Sequence, residues 1–446
     1  MKKIIIYLLV LSAYVMPLKA ADTTQQTMDL KMCIDIALKN NAAVQNSMLQ
    51  SEKEHLNWQQ KKIDLLPTLN INITHGVNQG RSIDPYTNSY LNQQLSYANQ
   101  DLSGSLLLFN GMGLQKLIRQ GSLAFQASKQ EEQQTKDNLT LNIILAYLQV
   151  LTNEELLGLF SKQQEVTFKQ VERLELLNNK GAIVPSAYYD LKGQYANDQL
   201  AVVDAKNTLA NSKLLLVQLL NIPYTKNIQL APLTAEQYAL ADEINPEQVY
   251  LTAVENLAIV KAADLNEKSA VMQIKYNRSR YYPSVYLRGG LYSNYSSAAY
   301  NAEHQSISYL NQFNNNLSSN LNIGVTIPLL NAFTTKKQTA IAKINRKEME
   351  IAAQNTRTAI QQLTAQACFN MATAKERYAA IQDQTNAFSE SFRTTEIRFN
   401  AGAINVVEYL ISKNNLDKAK INFATARYDF ILRKKIVEFY QGKLLP

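Results

Sequence analysis

The sequence predicts a mostly α-helical fold with a small β-barrel part. Three observations support this prediction: two long runs without proline, four short segments in which apolar and polar residues alternate, and a duplication of the whole pattern. The low content of helix-breaking residues, with 14 glycines and 10 prolines in 446 residues, also favours long uninterrupted helices. We therefore expect long helical hairpins joined to a short sheet.

The amino terminus has the pattern of a signal peptide, which we assign to residues 1–20. Lys2 and Lys3 precede an apolar stretch, Ile4–Val15, that is too short to span a bilayer comfortably, and Ala20 ends a candidate cleavage site. A retained membrane anchor is the alternative interpretation of this stretch. Cleavage would release a mature chain outside the cytoplasm.

Charge and motifs argue against several classes of protein. The formal net charge of +8 is scattered, without an arginine-rich face, so no nucleic acid partner is expected. No nucleophile and base constellation and no phosphate-binding loop occurs, so we predict no enzymatic activity and no cofactor. His55, His75 and His304 are dispersed and predict no metal site. Cys33 and Cys368 are expected to be buried small residues rather than a disulfide.

The two halves of the chain are related by a duplication. Identities between them follow an offset of 216 residues at first and of 221 further on. The matched pairs include Ala37 with Ala253, Asn40 with Asn256, Leu49 with Leu265, Pro67 with Pro283, Asn110 with Asn331, and Gly181 with Gly402. We therefore divide the mature chain into a first structural repeat, 21–230, and a linker with the second repeat, 231–446.

Each repeat contains two segments that alternate with the period of a β-strand. The predicted strands are about 67–77, 101–109, 283–293 and 319–328. In the second of them, Leu102, Leu106 and Leu108 are predicted on one face, and Ser103 and Ser105 on the other. Strands of about ten residues with one apolar and one polar face are typical of membrane-spanning barrels, although a half-buried soluble sheet shows the same alternation.

Long helical hairpins follow the strands, at about 111–220 and 332–442. At ~1.5 Å per residue, each first arm is on the order of 100 Å long, far beyond an ordinary domain. Apolar or small residues of the second run step by three or four, as in a coiled-coil seam: Leu363, Ala367, Met371, Ala374, Tyr378 and Ile381. We expect each hairpin to turn at a glycine in the left-handed conformation, Gly181 or Gly402.

Four membrane strands cannot close a barrel by themselves, because the smallest barrels have about eight. An open sheet edge in lipid would leave unpaired backbone groups at a cost of several kcal/mol each. The residues therefore predict a barrel shared among two, three or four copies of the chain.

Several short motifs, in a constant order, resemble those of TolC-type outer-membrane efflux proteins over the whole mature chain. They are Ile36-Ala37-Leu38 with Asn40-Asn41, Leu66-Pro67, Leu108-Phe109-Asn110-Gly111, Arg398-Phe399-Asn400-Ala401-Gly402 and Val406-Val407-Glu408-Tyr409-Leu410. The resemblance implies a homotrimer in the outer membrane, with a shared twelve-stranded barrel in contact with lipid and a helical tunnel in the periplasm.

The resemblance also implies an exit duct for small molecules or secreted proteins. Its partners would be a periplasmic adaptor protein and an inner-membrane pump or secretion transporter. The rival interpretation is a structural periplasmic or surface coiled-coil protein without a pore. That interpretation accounts for the long helices but leaves four amphipathic strands unexplained.

The family's functional positions can be carried over residue by residue. The hairpin tips that meet the adaptor correspond to Gly181, Ala182, Ile183, Gly402, Ala403 and Ile404. Glu408 corresponds to an acid that lines the tunnel entrance. A second family acid is replaced by Ile411 and a gating basic residue by Ile404, so this chain departs from the family in the charges of its gate.

Overall fold

The computed structural model describes residues 27–83, 88–92, 94–223, 228–233 and 244–443. The predicted signal peptide lies outside the described residues. The helices are α1 (Leu30–Asn40), α2 (Ala42–Ile63), α3 (Gly113–Asn179), α4 (Pro185–Leu220), α5 (Pro246–Asn256), α6 (Ala258–Ser279), α7 (Tyr309–Asn315), α8 (Thr334–Asn400) and α9 (Val406–Tyr440). The strands are β1 (Thr68–Asn78), β2 (Arg81–Ile83), β3 (Tyr90–Asn92), β4 (Leu95–Phe109), β5 (Ser284–Ser296) and β6 (Ser318–Thr326). The protein is therefore mostly helical with a small sheet.

Four of the strands form one antiparallel sheet in the order β1-β4-β5-β6, and β2 and β3 form a separate hairpin. Strand β4 begins at Leu95, earlier than the predicted 101, because its pairing with β1 continues to Asn78. The register shifts between Leu107 and Phe109, so Phe109 pairs with Val285 and Leu108 lies at this irregularity without a direct partner in β5.

The helices that adjoin the four strands in the chain lie side by side in the same order as the strands. Helix α2 leads into β1, β4 leads into α3, α6 leads into β5, and β6 leads into α8. Helix α2 packs on α3, α3 on α6, and α6 on α8. Sheet and helices thus form one continuous row, with α2 and β1 along one edge and α8 and β6 along the other.

Two long hairpins, α3 with α4 and α8 with α9, extend away from the sheet. Helices α3 and α8 each have 67 residues, or on the order of 100 Å at 1.5 Å per residue. The duplication is visible in matched lengths: α1 and α5 have 11 residues each, α2 and α6 have 22 each, and α4 and α9 have 36 and 35.

The largest apolar cluster lies where α1 and α3 meet the return helices α4 and α9. At its centre, the Tyr147 hydroxyl is buried and donates to the Ala231 carbonyl over 2.6 Å. Within the described residues, α3 is also the one helix with a stretch apolar and long enough to cross a membrane, and 44% of that stretch is buried in the protein. Part of the apolar surface of this stretch is therefore buried against neighbouring parts of the protein.

The cysteines are two separate buried thiols, as predicted. Cys33 belongs to the cluster around Tyr147, and Cys368 to a second cluster between α8 and α9. Burial raises the pKa of Cys33 to about 12 and also raises the pKa of Cys368. Both side chains therefore remain protonated at neutral pH and behave as small apolar residues.

Candidate functional site at the hairpin tips and the sheet

Both long hairpins turn at a glycine in the left-handed conformation, which confirms the prediction for Gly181 (φ +66°) and Gly402 (φ +73°). At the first turn, the Gly181 N–H donates to the Asn178 carbonyl and the Ala182 N–H to the Leu177 carbonyl, both over 2.9 Å. The second turn contains the same pair of bonds, so both are Schellman motifs. A Cβ added at either glycine would meet no atom within 4 Å, so only the backbone conformation requires glycine.

The return helices start with different N-terminal signals. Pro185 occupies the first turn of α4, where a missing N–H costs nothing. Helix α9 is capped by Asn405, whose side chain accepts the Glu408 N–H over 2.9 Å. Glu408 lies in the first turn of α9, where a carboxylate is stabilised by the helix dipole, and its side chain is exposed. Ile411 is exposed as well.

The two tips are held together by one apolar cluster. Its buried members come from both hairpins: Val171, Leu174, Tyr188, Leu191, Phe399, Val406 and Tyr409. Ile183 and Ile404 pack against this cluster, whereas Gly181, Ala182, Gly402 and Ala403 remain exposed. The structure therefore brings two of the predicted tip residues together and leaves the other four available to a partner.

Tyr409 is the centre of the tip cluster and is fully buried. Its ring stacks on Phe399, with 4.4 Å between centroids, and also meets Phe392. Burial raises the pKa of Tyr409, and its hydroxyl has no hydrogen-bond partner in the described part of the chain. Arg173 of α3 reaches across to Asn400 and donates to its backbone carbonyl over 2.6 Å. Aromatic packing and this arginine thus join the ends of α3 and α8.

A buried ionic cluster lies on the side of the tips nearer the sheet. Lys413 of α9 is 3% exposed and contacts the carboxylates of Asp198 on α4 (3.3 Å) and Asp417 on its own helix (2.7 Å). The Thr167 hydroxyl and the Gln194 amide donate to Asp198 over 2.5 and 2.7 Å. The cluster connects α3, α4 and α9 through polar groups that few water molecules can reach.

Burial raises the pKa of Asp417, while the adjacent Lys413 ammonium acts in the opposite direction. This cluster was not predicted from the sequence. Lys413 and Asp417 are four residues apart, a spacing that is also common for ion pairs on exposed helix surfaces. No local pattern indicated that Asp198 would meet them.

The sheet has one apolar and one polar face, and both are largely open in the single chain. Leu69, Ile71 and Ile73 of β1 and their counterparts in β6, Leu321 and Ile323, are exposed. The cross-strand pairs Leu102–Leu291 and Leu106–Leu287 continue this face across the central strands. Exposed aliphatic surface of this kind needs lipid or protein to cover it.

The opposite face carries amides, hydroxyls and two charged side chains. Asp101 accepts hydrogen bonds from the Asn72 amide and the Ser103 hydroxyl, both over 3.1 Å. Arg288 lies on the same face, where its backbone pairs with Ser105. A face of this composition is suited to contact with water.

The histidines lie far apart in the fold. His55 of α2 stacks on Phe125, His75 belongs to β1, and His304 occupies a loop with positive φ. Within the described ranges there is no group of three or more histidine, cysteine, aspartate or glutamate residues that could hold a metal ion.

Comparison with known proteins identifies relatives in sequence and neighbours in fold. The model of the family described as "Outer membrane efflux protein" matches residues 249–433. The chain is 24% identical over 375 residues to outer membrane protein TolC of Vibrio cholerae, covering 82% of this chain and 80% of that protein. It is 21% identical to outer membrane protein TolC of Escherichia coli, covering 80% of this chain and 73% of that protein.

The fold is similar to the crystal structure of the CmeC outer membrane channel of Campylobacter jejuni. The TM-score is 0.78 at 16% identity, with 93% of this chain and 85% of that chain covered. These likenesses confirm the resemblance inferred from the sequence motifs. They also support an outer-membrane location with a periplasmic helical domain.

Proposed function

We propose that the chain is a TolC-type outer-membrane efflux protein and forms one subunit of a trimeric exit duct spanning the outer membrane and periplasm. The duct is passive and serves the efflux of small molecules, such as drugs and other toxic compounds, or the secretion of proteins. It works with a periplasmic adaptor protein and an inner-membrane transporter, which select the cargo. The duct itself catalyses no reaction.

The open row of strands and helices is the observation that carries this proposal. Strands β1 and β6 each pair on one side only, so each has an unpaired edge. In lipid, every unpaired N–H or C=O group would cost several kcal/mol, which pairing of β6 with β1 of the next copy removes. The geometry of strand pairing allows more than one number of copies, and the family resemblance favours three, which gives twelve strands.

The two faces of the sheet support an assignment of which side of the barrel meets lipid and which lines the lumen. The aliphatic face of Leu69, Ile71 and Ile323 suits the lipid tails, and the polar face of Asn72, Asp101 and its neighbours suits a water-filled lumen. A purely structural coiled-coil protein would have no use for a sheet with one lipid-compatible face.

The exposed ends of the hairpins are the proposed docking site for the adaptor. Gly181, Ala182, Gly402 and Ala403 project beyond the apolar tip cluster and carry no bulky side chains. Small residues at the end of a hairpin allow close approach by the backbone or side chains of a partner. Ile183 and Ile404 support the turns from inside the cluster.

Glu408 is the proposed pore-entrance residue. It is exposed on the first turn of α9, next to the tip. In a trimer whose tips converge on the axis, three carboxylates within the ~8 Å Debye length at physiological salt would repel one another and attract cations. Because Ile411 replaces the family's second acid, the ring contains one acid per chain.

The proposal is tested by mass and conductance together. Light scattering of the detergent-solubilised protein, corrected for bound detergent, should give three copies of the mature chain. The same preparation should form ion-conducting channels in a planar lipid bilayer. A monomer that conducts alone would contradict barrel sharing, and a trimer that never conducts would favour the structural coiled-coil interpretation.

A further inference from the structure

Basic side chains gather where the helices meet the sheet. Helix α2 leads into β1, α6 leads into β5, and α3 and α8 follow β4 and β6, so these four helix ends lie at one end of the sheet. The corresponding segments, 57–66, 110–120, 273–283 and 331–341, contain nine lysines and arginines and one acid, Asp64. The difference of eight positive charges equals the formal net charge of the whole chain. The fold therefore collects at one level charges that are dispersed along the sequence.

Six of these basic side chains are exposed, and we call them the basic band: Lys62, Arg119, Lys275, Arg278, Lys336 and Lys337. None of the six forms an ion pair with another residue in the described part of the chain. The single acid, Asp64, accepts a hydrogen bond from the Gln60 amide over 2.8 Å. Because like charges repel, the basic band favours a partner that brings negative charge.

Aromatic rings lie at the same level as the basic band. The Lys62 ammonium lies 3.4 Å from the centroid of the Trp58 ring, as in a cation–π contact. Tyr281 and Tyr282 are 54% and 60% exposed. Tryptophan and tyrosine are enriched at the level of lipid headgroups, because each ring has an apolar body and a polar edge. The basic band thus lies between the aliphatic face of the sheet and the helices that extend into water.

Helix α6 indicates which side of the row carries the basic band. Ser269 donates to a carbonyl of α3 and Glu267 pairs with an arginine of α8, so these two residues mark its packed sides. At 3.6 residues per turn, Lys268 and Lys275 share one of the two remaining sides and are exposed, whereas Ala270 lies on the other and is half-buried. A row that closes into a duct is concave towards its lumen, and the concave side is the more covered one. Lys275 is therefore assigned to the outer side.

The opposite end of the sheet carries no such excess of charge. In the described parts of its connections, 79–83, 88–92 and 297–317, the charged residues are Arg81 and Glu303, beside His304. One base balances one acid there. The positive charge is therefore specific to the end from which the helices extend, which is the periplasmic side.

We propose that the basic band binds the anionic headgroups of phospholipids in the periplasmic leaflet of the outer membrane. The inference rests on the proposed function, since it needs a sheet that spans the membrane, and it goes further because it assigns a lipid partner to named residues. The lysine ammonium groups attract the phosphodiester charge, and the guanidinium groups of Arg119 and Arg278 can donate two parallel hydrogen bonds to its oxygens. Long basic side chains can reach the headgroups while their stems cover apolar surface.

Energy transfer from tryptophan to labelled lipids tests this partner, because Trp58 is the one tryptophan of the sequence. The purified full-length protein is placed in phosphatidylcholine vesicles that contain a small fraction of pyrene-labelled phosphatidylglycerol or of pyrene-labelled phosphatidylcholine. Transfer to the anionic lipid should exceed transfer to the zwitterionic lipid. The preference should decrease when the salt concentration is raised from about 0.05 M to about 0.5 M, because salt screens exposed charges.

A triple variant tests the residues of the basic band. Arg119→Gln, Lys275→Gln and Lys336→Gln together remove one charge from each of α3, α8 and α6 and leave Lys62 beside Trp58. The preference for phosphatidylglycerol should fall roughly fivefold, since a basic side chain near an anionic surface strengthens binding by about this factor.

The matched control removes the same charges from the same three helices. It combines Lys162→Gln, Lys261→Gln and Arg377→Gln, which are exposed and lie about 27 Å or more along their helices from the ends that meet the sheet. This control should keep the wild-type lipid preference. If the band variant does not assemble, Lys275→Gln and Lys336→Gln are measured singly against Lys261→Gln.

The outcomes separate this inference from the proposed function. If the band variant and the control show the same preference, or if salt leaves the wild-type preference unchanged, the basic band does not bind lipid headgroups and the inference is overturned. A band variant that keeps its lipid preference but changes ion selectivity in a planar bilayer would place these side chains in the lumen and overturn it as well. In either case the duct stands if the same preparation is a conducting trimer by light scattering and bilayer recording.

Discussion

Replacing Lys413 with methionine tests whether the buried ionic cluster holds the two hairpins together near their tips. The substitution preserves the length of the aliphatic stem but removes the ammonium that contacts Asp198 and Asp417. The side chains of both acids are at most 17% exposed, so water replaces little of the lost interaction. Removing one partner of a buried ion pair typically costs about 3–5 kcal/mol, since the remaining charge is left without compensation.

The loss should be measured locally, because the proposed membrane-inserted oligomer would not unfold in one step. Hydrogen–deuterium exchange of the amides around the cluster reports the free energy of local opening. A loss of about 3 kcal/mol corresponds to exchange roughly a hundredfold faster, at about 1.4 kcal/mol for each factor of ten. We expect this change near Asp198 and Asp417, with no change in the sheet.

An exposed lysine on α3 supplies the control. Lys169 forms an ion pair with Glu165 at the same four-residue spacing, but both side chains are mainly exposed. Lys169→Met should leave exchange unchanged, because exposed pairs contribute little. If Lys413→Met and Lys169→Met exchange alike, the cluster does not join the hairpins and the reasoning is refuted.

The pH dependence has a definite sign. An acid whose pKa is raised in the folded state destabilises that state when the acid is ionised. This loss of stability disappears as the pH falls from the raised pKa to the usual value near 3.9, because the acid is then protonated. Burial raises the pKa of Asp417 in this sense. Without Lys413 the effect should be larger, so exchange in Lys413→Met should slow on acidification more than exchange in the wild type does.

Three further predictions concern the tips. Bulky charged substitutions at Ala182 or Ala403 should abolish adaptor crosslinking and raise drug susceptibility while leaving the trimer intact; unchanged crosslinking would place the docking site elsewhere. Glu408→Gln should reduce cation preference and divalent-ion block in single-channel recordings, and identical values in both proteins would mean that Glu408 does not line the pore. Tyr409→Phe should retain or increase the thermal stability of the tips, because it removes a buried hydroxyl without a partner; a loss above about 1 kcal/mol would reveal a hydrogen bond to that hydroxyl.

The sequence alone was sufficient for the features that depend on neighbouring residues. The absence of proline predicted two continuous long helices, and the period-two alternation predicted segments of the sheet. The left-handed turns at Gly181 and Gly402 were also predictable, because glycine is the residue that adopts this conformation at little cost. The duplication supplied the repeating order of helices and strands.

Some local details still required the structure. The register shift beside Leu108 depends on how β4 pairs with β5, and the early start of β4 depends on its pairing with β1. Strand ends and bulges are decided by partners that are distant in the sequence, so alternation within one segment cannot locate them.

Only the tertiary structure decided which distant residues meet near the hairpin tips. Lys413 and Asp198 are separated by 215 residues, and Tyr409 is buried by aromatic side chains of α8. The row of helices and strands likewise became apparent only from the packing of α2, α3, α6 and α8. Local preferences act over a few residues, whereas these contacts depend on how two long hairpins lie side by side, and a linear pattern does not contain that information.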